Sequence, residues 1–296
     1  MKVRFEKEGV HLYDRKTGIH VLFDEVTPPE KILTICPRTV SIAITNKCNL
    51  CCSYCHIKKG NKFLDKDYIL ELAKTFNQLG TFDIALGGGE PFLHPDLDEI
   101  CNRIWCETDL GLSVTTNGTL LTQDNVESIK NFLSILRISI DGVADTFQSN
   151  REYNFAVIES NLAMASKLLR VGINIVIKDD TIDQLDDIAK LYHKYQCSEL
   201  LLLPYIKGGT IILKPKTCFT LEKWIAKNNG KINLRILSQA KQKIKAAYLI
   251  NYPGWEDSYV YIDVDNKLKA NSYVEAGIEI RKLDEIAQYL SMIKSY

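Results

Sequence analysis

Four cysteines within eight residues are the feature of this sequence with the most specific chemistry. They are Cys48, Cys51, Cys52 and Cys55. Thiolates grouped this closely favour metal ligation, and one interpretation pairs them as two C-x2-C units around zinc, although zinc sites usually draw such pairs from separate segments. The other interpretation takes Cys48, Cys52 and Cys55, in C-x3-C-x2-C spacing. Three such thiolates would bind three irons of a cubane and leave the fourth iron open, with Cys51 outside the set.

The composition is that of a globular chain without an overall charge. The chain has 296 residues, 46% of them hydrophobic and 25% charged, and its 37 Lys+Arg equal its 37 Asp+Glu. This balance gives no overall field that would attract nucleic acid or an anionic membrane. The N-terminal segment has no apolar stretch of the signal-peptide type, and the longest apolar run, residues 200–206, is too short to cross a bilayer. We therefore expect a cytoplasmic protein, with neither nucleic acid nor membrane as a partner, whose cysteines stay mostly reduced.

Apolar segments alternate with helix-patterned segments between residues 40 and 206. Strands are predicted at 40–45, 82–86, 112–116, 135–140, 173–178 and 199–204. Helices are predicted at 65–80 between Asp65 and Gly80, after Pro95, after Thr122, at 154–172 with Gly172 as its end, and at 181–195. Strands that are apolar on both faces and alternate with helices are typical of parallel βα units. Six such units suit an open, partial barrel or a doubly wound sheet, and both place the ligand site at the carboxyl ends of the strands.

The segments that follow these strands carry the unusual residues. They are the cysteine loop, GGGEP (87–91), NGT (117–119), DG (141–142) and KGG (207–209). Because the carboxyl ends of parallel strands share one edge, thiolates, glycine-rich backbone and a carboxylate are expected to meet there.

The two flanks of this repeating region have other patterns. Residues 1–37 predict a short β-hairpin cap with a turn near Lys16–Gly18, and residues 38–209 form the predicted core. Residues 210–296 predict a C-terminal α+β extension. Its predicted elements are a helix at 221–228, a strand pair that turns at Asp265–Asn266, and a helix at about 284–295.

Taken together, these motifs resemble those of the radical S-adenosylmethionine (radical SAM) enzymes. The segment from Cys48 to Cys55 is similar to their CxxxCxxC signature, with Tyr54 in the aromatic position before the third cysteine. GGGEP resembles the GGE motif of the superfamily, and TTNG and SIDG after the third and fourth strands also match. Ser139 and Arg151 resemble the Ser…Arg pair of peptide- and protein-modifying members. The resemblance covers about residues 38–206.

This resemblance implies a partial (β/α)6 TIM-like barrel, a [4Fe–4S] cluster on Cys48, Cys52 and Cys55, and S-adenosylmethionine as the second cofactor. Reductive cleavage of S-adenosylmethionine would give a 5′-deoxyadenosyl radical that abstracts hydrogen from a substrate. The implied S-adenosylmethionine contacts are Tyr54, Gly88, Gly89, Glu90, Asn117, Ser139 and Arg151. Glu90 would accept from the methionyl ammonium, and Arg151 would pair with the methionyl carboxylate.

The C-terminal extension, residues 210–296, here called the tail, provides evidence about the number of clusters and the kind of substrate. Residues 261–277 resemble the C-terminal extension that holds further clusters in many peptide maturases, but Asn271 stands where a cysteine is expected and no cysteine follows Cys218. We therefore expect a single cluster and a tail that covers the barrel mouth.

The predicted substrate is a peptide or protein; the alternatives are a small metabolite or a non-catalytic iron–sulfur protein on the same scaffold. Flavodoxin or ferredoxin is the expected type of electron donor, and the catalytic residues stay unknown.

Overall fold

The computed structural model describes residues 1–250 and 258–293. Its strands are β1 (Lys2–Glu6), β2 (Gly9–Asp14), β3 (Ile19–Phe23), β4 (Thr39–Thr45), β5 (Asp83–Gly88), β6 (Gly111–Thr116), β7 (Ile135–Ser139), β8 (Val171–Ile177), β9 (Glu199–Pro204), β10 (Ile206–Lys207), β11 (Thr210–Ile211), β12 (Leu234–Ile236), β13 (Tyr259–Ile262), β14 (Lys267–Lys269) and β15 (Ile278–Glu279). Its α-helices are α1 (Lys66–Gln78), α2 (Leu97–Glu107), α3 (Gln123–Ile129), α4 (Ala144–Arg151), α5 (Phe155–Leu168), α6 (Leu185–Lys194), α7 (Pro215–Asn228) and α8 (Ile286–Ile293).

One sheet of 10 strands organises the chain, in the order β12-β9-β8-β7-β6-β5-β4-β13-β14-β15. All neighbours from β12 to β13 are parallel, and β14 and β15 add an antiparallel edge. In the described ranges no pairing joins the two ends of this sheet, so the barrel is open. The α/β fold class with its six predicted βα units, from β4 to β9, is confirmed.

Local sequence explains most of these elements. Asp65 begins α1 by accepting from the backbone N–H groups of Asp67 and Tyr68, and Thr122 begins α3 through a capping box with Asn125. Strand β4 buries Val40, Ile42 and Ile44 completely against the helices, and its alternate residues face the barrel interior. None of the helices in the described ranges has the length and apolarity that a membrane crossing requires.

Between residues 140 and 172 the predicted end of one helix is wrong, and another helix was not predicted. Helix α5 ends at Leu168, and Gly172 lies inside β8, where an added Cβ would sit 2.9 Å from the Glu199 side chain. Helix α4 was not predicted, because its buried residues include Asn150 and Arg151, so it lacks an apolar stripe. Strand pairing of β8 therefore overrides the helical pattern at the end of α5. In α4, buried polar residues mask the pattern by which a helix is recognised in sequence.

The N-terminal segment is a three-stranded antiparallel sheet, β1-β2-β3, and not the predicted hairpin. The missed turn lies between β1 and β2, where Gly9 has φ 140°. Glu6 fixes this sheet to the barrel, because its buried carboxylate accepts from Arg4 at 2.9 Å and from Arg38 at 2.8 Å. The sheet thus lies at the end of the barrel opposite the cysteine loop.

The tail contributes walls to the barrel. Strand β12, too short to be predicted, pairs with β9, and β13 pairs with β4, so the sheet continues across the boundary predicted after residue 209. The predicted turn at Asp265–Asn266 is present, and Asn266 there has φ 60°. Helix α7 begins at Pro215, six residues before the predicted start, and the predicted end of the last helix falls outside the described residues. The division into three domains stays a prediction.

Candidate active site

The cysteine loop follows β4; one backbone hydrogen bond closes it and another forms a turn within it. Gly60 N–H donates to the Asn46 carbonyl at 3.1 Å, and Cys55 N–H donates to the Cys52 carbonyl at 3.1 Å. Cys48 and Cys52 are half-buried, whereas Cys51 and Cys55 are exposed. Burial raises the pKa of the Cys48 and Cys52 thiols, so loading a metal there must release protons.

The donor set fits a cluster better than a single ion. In the described part of the chain no three His, Cys, Asp or Glu side chains lie close enough together to hold one metal ion. A zinc site requires its ligands to converge on one point, whereas a cubane takes each thiolate on a different iron. The two-pair zinc interpretation therefore does not fit this loop, and three soft thiolates on one segment fit an iron–sulfur cluster.

The glycines of GGGEP bring β5 against the start of the cysteine loop. An added Cβ would lie 2.1 Å from the Thr45 carbonyl oxygen at Gly88 and 2.1 Å from the Lys47 carbonyl oxygen at Gly89. Gly88 also has φ 118°, which disfavours any side chain. Gly87, by contrast, has no atom within 4 Å of an added Cβ. Gly88 and Gly89 thus pack on protein backbone, and Gly87 presents the open face.

Glu90 is completely buried and joins two strand ends. Its carboxylate accepts from Thr116 Oγ1 at 2.7 Å, Asn117 N–H at 2.7 Å and Phe92 N–H at 3.1 Å. Burial raises the pKa of Glu90, and these hydrogen bonds oppose that shift. A carboxylate has about four acceptor positions, so one is left for a ligand.

Asn117 connects β6 to the cysteine loop. Its Nδ2 donates to Asn49 Oδ1 at 2.9 Å and lies 3.8 Å from Cys48 Sγ. Thr119 Oγ1 donates to Asn117 Oδ1 at 2.7 Å and accepts from Asn49 Nδ2 at 2.7 Å. Sequence reasoning missed Asn49 and Thr119 as partners, although both stand within the two motifs that it singled out.

Arg151 is paired with Asp141, the carboxylate of the DG segment that follows the fourth predicted strand. Asp141 Oδ2 accepts from Arg151 Nε at 2.8 Å and also from the Tyr54 hydroxyl, while Asp141 Oδ1 accepts from Val176 N–H at 2.6 Å. Burial and the Asp141 carboxylate raise the pKa of Tyr54. Ser139 pairs in register with Asn174 on β8, and the structure records no hydrogen bond between its side chain and Arg151. Asp141 therefore gathers Tyr54 and Arg151, and Ser139 stands apart from them.

A groove of ≈ 910 Å³ opens beside the cysteine loop. Tyr54, Cys55 and His56 line one side, and the β10–β11 hairpin and the tail line the other. Below it, a cavity of ≈ 280 Å³ extends into the barrel past Gly87 and Gly88. The residues that line both spaces are His56, Ile57, Tyr261, Ser272 and Tyr273. The groove and the cavity are thus neighbouring spaces that share part of their walls.

Two arginines and two carboxylates form the floor of this cavity. Arg137 Nε lies 2.6 Å from Glu199 Oε1, and Arg235 lies 3.5 Å from Glu199 Oε2. Asp83 Oδ2 accepts from Thr39 Oγ1 at 3.0 Å. Burial alone would raise the pKa of Glu199, but the two guanidinium groups outweigh it and hold that pKa at about 2.

We expect the floor to make stability depend on pH. Because the pKa of Glu199 falls from 4.5 to about 2 on folding, its contribution is present above pH 4.5 and is lost as the pH falls toward 2. The wild type should therefore exceed Glu199→Gln in unfolding free energy by more at about pH 6 than at about pH 3. Denaturant titrations at both pH values measure this difference in unfolding free energy. A difference that is larger at pH 3 than at pH 6 would contradict the low pKa assigned to Glu199.

Comparison with known proteins identifies the class. The sequence profile of the Radical SAM superfamily matches residues 42–192, so the chain belongs to this superfamily. It is therefore a radical SAM enzyme, a class that uses a [4Fe–4S] cluster and S-adenosylmethionine, and the non-catalytic alternative is not retained.

The relatives found by sequence are named for one reaction. The chain is 33% identical over 191 residues to a GTP 3′,8-cyclase of Staphylococcus aureus, covering 58% of this chain and 55% of that one. It is 30% identical over 221 residues to a probable GTP 3′,8-cyclase of Methanococcus maripaludis, covering 70% and 72%. The chain thus spans little more than half the length of the staphylococcal relative.

Solved structures share the fold at low identity. Streptococcus suis SuiB bound to its precursor peptide SuiA has a TM-score of 0.73 at 13% identity, over 100% of this chain and 89% of that one. The enzyme anSMEcpe with bound AdoMet and the Cp18Cys peptide has a TM-score of 0.61 at 18% identity, over 86% and 82%. These similarities confirm the partial-barrel fold.

Proposed function

We propose that this enzyme holds its cluster on Cys48, Cys52 and Cys55 and abstracts hydrogen from a peptide or protein substrate. When bound, the cluster supplies the electron that cleaves S-adenosylmethionine to the 5′-deoxyadenosyl radical. The observation that carries the proposal is the shared rim: the cysteine loop is joined to the segment after β5 by the close approach of Gly89 to the Lys47 carbonyl, and to β6 through Asn117. Such a rim holds its ligands in a fixed geometry beside an open groove.

The rim residues have proposed roles toward S-adenosylmethionine. Glu90 offers its remaining acceptor position to the methionyl ammonium. Arg151, held by Asp141, places positive charge beside Tyr54, whose ring centroid lies 6.0 Å from the guanidinium carbon. Tyr54 lines the groove and offers its ring face for stacking on the adenine. Gly88, Gly89 and Ser139 shape the space around the cofactor.

The groove favours a peptide. Its charged lining residues are Lys58, Lys207, Lys267, Lys269, Asp263, Asp265 and Glu275. Four lysines against three carboxylates leave an excess of one positive charge. An open groove of mixed charge suits an extended chain, whereas a triphosphate carries several negative charges and needs clustered cations. SuiB, whose fold matches the whole chain, was solved with a precursor peptide.

A small metabolite is the second candidate, and sequence identity favours it. The relatives at 30–33% identity are named for a reaction on GTP. The proposal of a single cluster is supported by the tail, because no cysteine follows Cys218 in this sequence. An electron-transfer protein of the flavodoxin or ferredoxin type remains the proposed donor, and the cytoplasm remains the proposed location.

The test of the proposed function is formation of 5′-deoxyadenosine. Anaerobically reconstituted protein, reduced with dithionite, should release it from S-adenosylmethionine slowly, and faster when the true substrate is added. Cys48→Ala is the control and should give none. Pools of short peptides and GTP, assayed separately, distinguish the two substrate classes by which one increases the rate. A cluster-loaded wild type that yields no 5′-deoxyadenosine would overturn the proposal.

A further inference from the structure

The sulfur of Cys48 accepts hydrogen bonds from two N–H groups. Leu50 N–H donates to Cys48 Sγ at 3.5 Å, and Asn117 Nδ2 donates to it at 3.8 Å. The first donor belongs to the cysteine loop itself, whereas Asn117 follows β6 and is brought to the sulfur by the fold. A thiol is a weak acceptor, but a thiolate carries negative charge and accepts more strongly. Both bonds therefore gain strength when Cys48 binds iron as a thiolate.

The orientation of the Asn117 amide is fixed by its other partners. Thr119 N–H donates to Asn117 Oδ1 at 2.9 Å. Because a backbone N–H group can only donate, the amide atom that faces it must be the oxygen. The hydrogen-bond network thus excludes the flipped amide, and the NH2 group of Asn117 is the end that faces Cys48.

Three side chains close a ring of hydrogen bonds around this amide. Asn117 Nδ2 donates to Asn49 Oδ1 at 2.9 Å, Asn49 Nδ2 donates to Thr119 Oγ1 at 2.7 Å, and Thr119 Oγ1 donates to Asn117 Oδ1 at 2.7 Å. Asn117 Oδ1 thus accepts two hydrogen bonds, and Nδ2 directs one hydrogen to Asn49 and the other to Cys48. These bonds use the full capacity of the amide, which is 7% exposed. The amide is therefore committed to the cysteine loop and has no capacity left for S-adenosylmethionine.

We propose that Asn117 raises the reduction potential of the cluster through its hydrogen bond to the Cys48 thiolate. Reduction adds negative charge, and part of that charge lies on the thiolate sulfurs. A donor aimed at such a sulfur stabilises the reduced state more than the oxidised state, so hydrogen bonds to the sulfurs are among the determinants of cluster potential. The inference rests on the proposed function, since it takes Cys48 as a ligand. Asn117 is then a positioning residue that acts through Cys48.

The test is a redox titration of the cluster-loaded protein, followed by electron paramagnetic resonance of the reduced cluster without S-adenosylmethionine or substrate. Asn117→Leu approximately keeps the side-chain volume and removes the donor. Its midpoint potential should be more negative than that of the wild type by a tenfold loss in the equilibrium constant for reduction, the scale of one hydrogen bond. For one electron this factor is about 59 mV. Equal potentials in the two proteins would overturn the inference.

Asn161→Leu is the matched control. Asn161 Nδ2 donates to the Gly118 carbonyl at 2.8 Å, so this variant removes an asparagine hydrogen bond that holds the same turn from the other side. Its midpoint potential should equal that of the wild type. A fall as large as that in Asn117→Leu would show that the position of the turn sets the potential, and it would overturn the assignment to the donor.

Thr119→Val keeps the inference testable if Asn117→Leu does not assemble a cluster. Valine has the shape of threonine and removes the hydroxyl from the ring, while Asn117 and the backbone N–H of residue 119 remain. The amide is then held less firmly, so the potential should fall in the same direction as in Asn117→Leu but by less. A Thr119→Val protein with the wild-type potential would contradict the inference.

Binding of S-adenosylmethionine to the oxidised protein separates the two possible roles of Asn117. Equilibrium dialysis should give dissociation constants for the wild type and Asn117→Leu that agree within about twofold, less than one hydrogen bond contributes. A tenfold loss of affinity with an unchanged potential would overturn the inference and assign Asn117 to the cofactor. If 5′-deoxyadenosine forms and the potential does not shift, this inference alone fails. If the potential shifts and no 5′-deoxyadenosine forms, the proposed function fails.

Discussion

Alanine at Cys48, Cys52 or Cys55 should abolish the broad brown absorbance of the reconstituted protein, while Cys51→Ala should retain it. Each of the three thiolates holds a different iron, so loss of one leaves a site that cannot retain the cubane. Cys51 is exposed and lies outside the C-x3-C-x2-C set. The wild type should contain about four irons per chain, because one cubane has four. Ultraviolet–visible spectra and iron analysis measure both quantities.

Cys51 provides the matched control, since it lies on the same loop and carries the same side chain. Loss of the cluster in Cys51→Ala alone would show that the ligand set has been misassigned. A reproducible content near eight irons per chain would instead contradict the single cluster, because it requires thiolates beyond this loop.

Arg151→Leu should lower the unfolding free energy by about 3–5 kcal/mol, the usual cost of leaving a buried charge without its partner. Arg151 is 6% exposed and Asp141 is fully buried, and Arg151 Nη2 lies 2.6 Å from Asp141 Oδ2. The Tyr54 hydroxyl and Val176 N–H would remain as donors to Asp141 but bring no positive charge. Urea titration of the cluster-free protein measures the loss.

A double variant separates the charge effect from lost packing. Asp141→Asn combined with Arg151→Leu removes both charges and should recover part of the stability lost in the single variant. Lys190→Ala, which breaks an exposed ion pair with Asp187, should leave the unfolding free energy nearly unchanged. A double variant as unstable as Arg151→Leu would contradict the assignment to an unpaired Asp141.

The sequence was most informative where the signal is local. The cysteine loop, GGGEP and the caps at Asp65 and Thr122 are short motifs whose positions relative to strands follow from periodicity, and the six βα units formed where they were expected. The same motifs predicted which residues gather at the rim. This was possible because the carboxyl ends of parallel strands lie at the same edge of a sheet, so the segments that follow the strands are brought together.

The features that the sequence did not predict depend on contacts between segments that are distant along the chain. Arg151 resembled a free anion-binding residue, and only the fold shows that Asp141 already accepts from it. Gly88 and Gly89 stay predicted cofactor contacts, and only the fold shows that an added Cβ at either position would meet the backbone of the preceding strand or loop. Strand β12 has three residues, too few for a periodic pattern. None of these features has a local signature.

The pairing of β13 with β4 has a consequence for biosynthesis. Thr39 pairs with Tyr259, so the strand that carries the cysteine loop obtains its second neighbour only after most of the chain has left the ribosome. At about 5–20 residues per second, this delay lasts for tens of seconds, during which one edge of β4 is unpaired. A chain released before the tail is made would therefore expose this edge to aggregation.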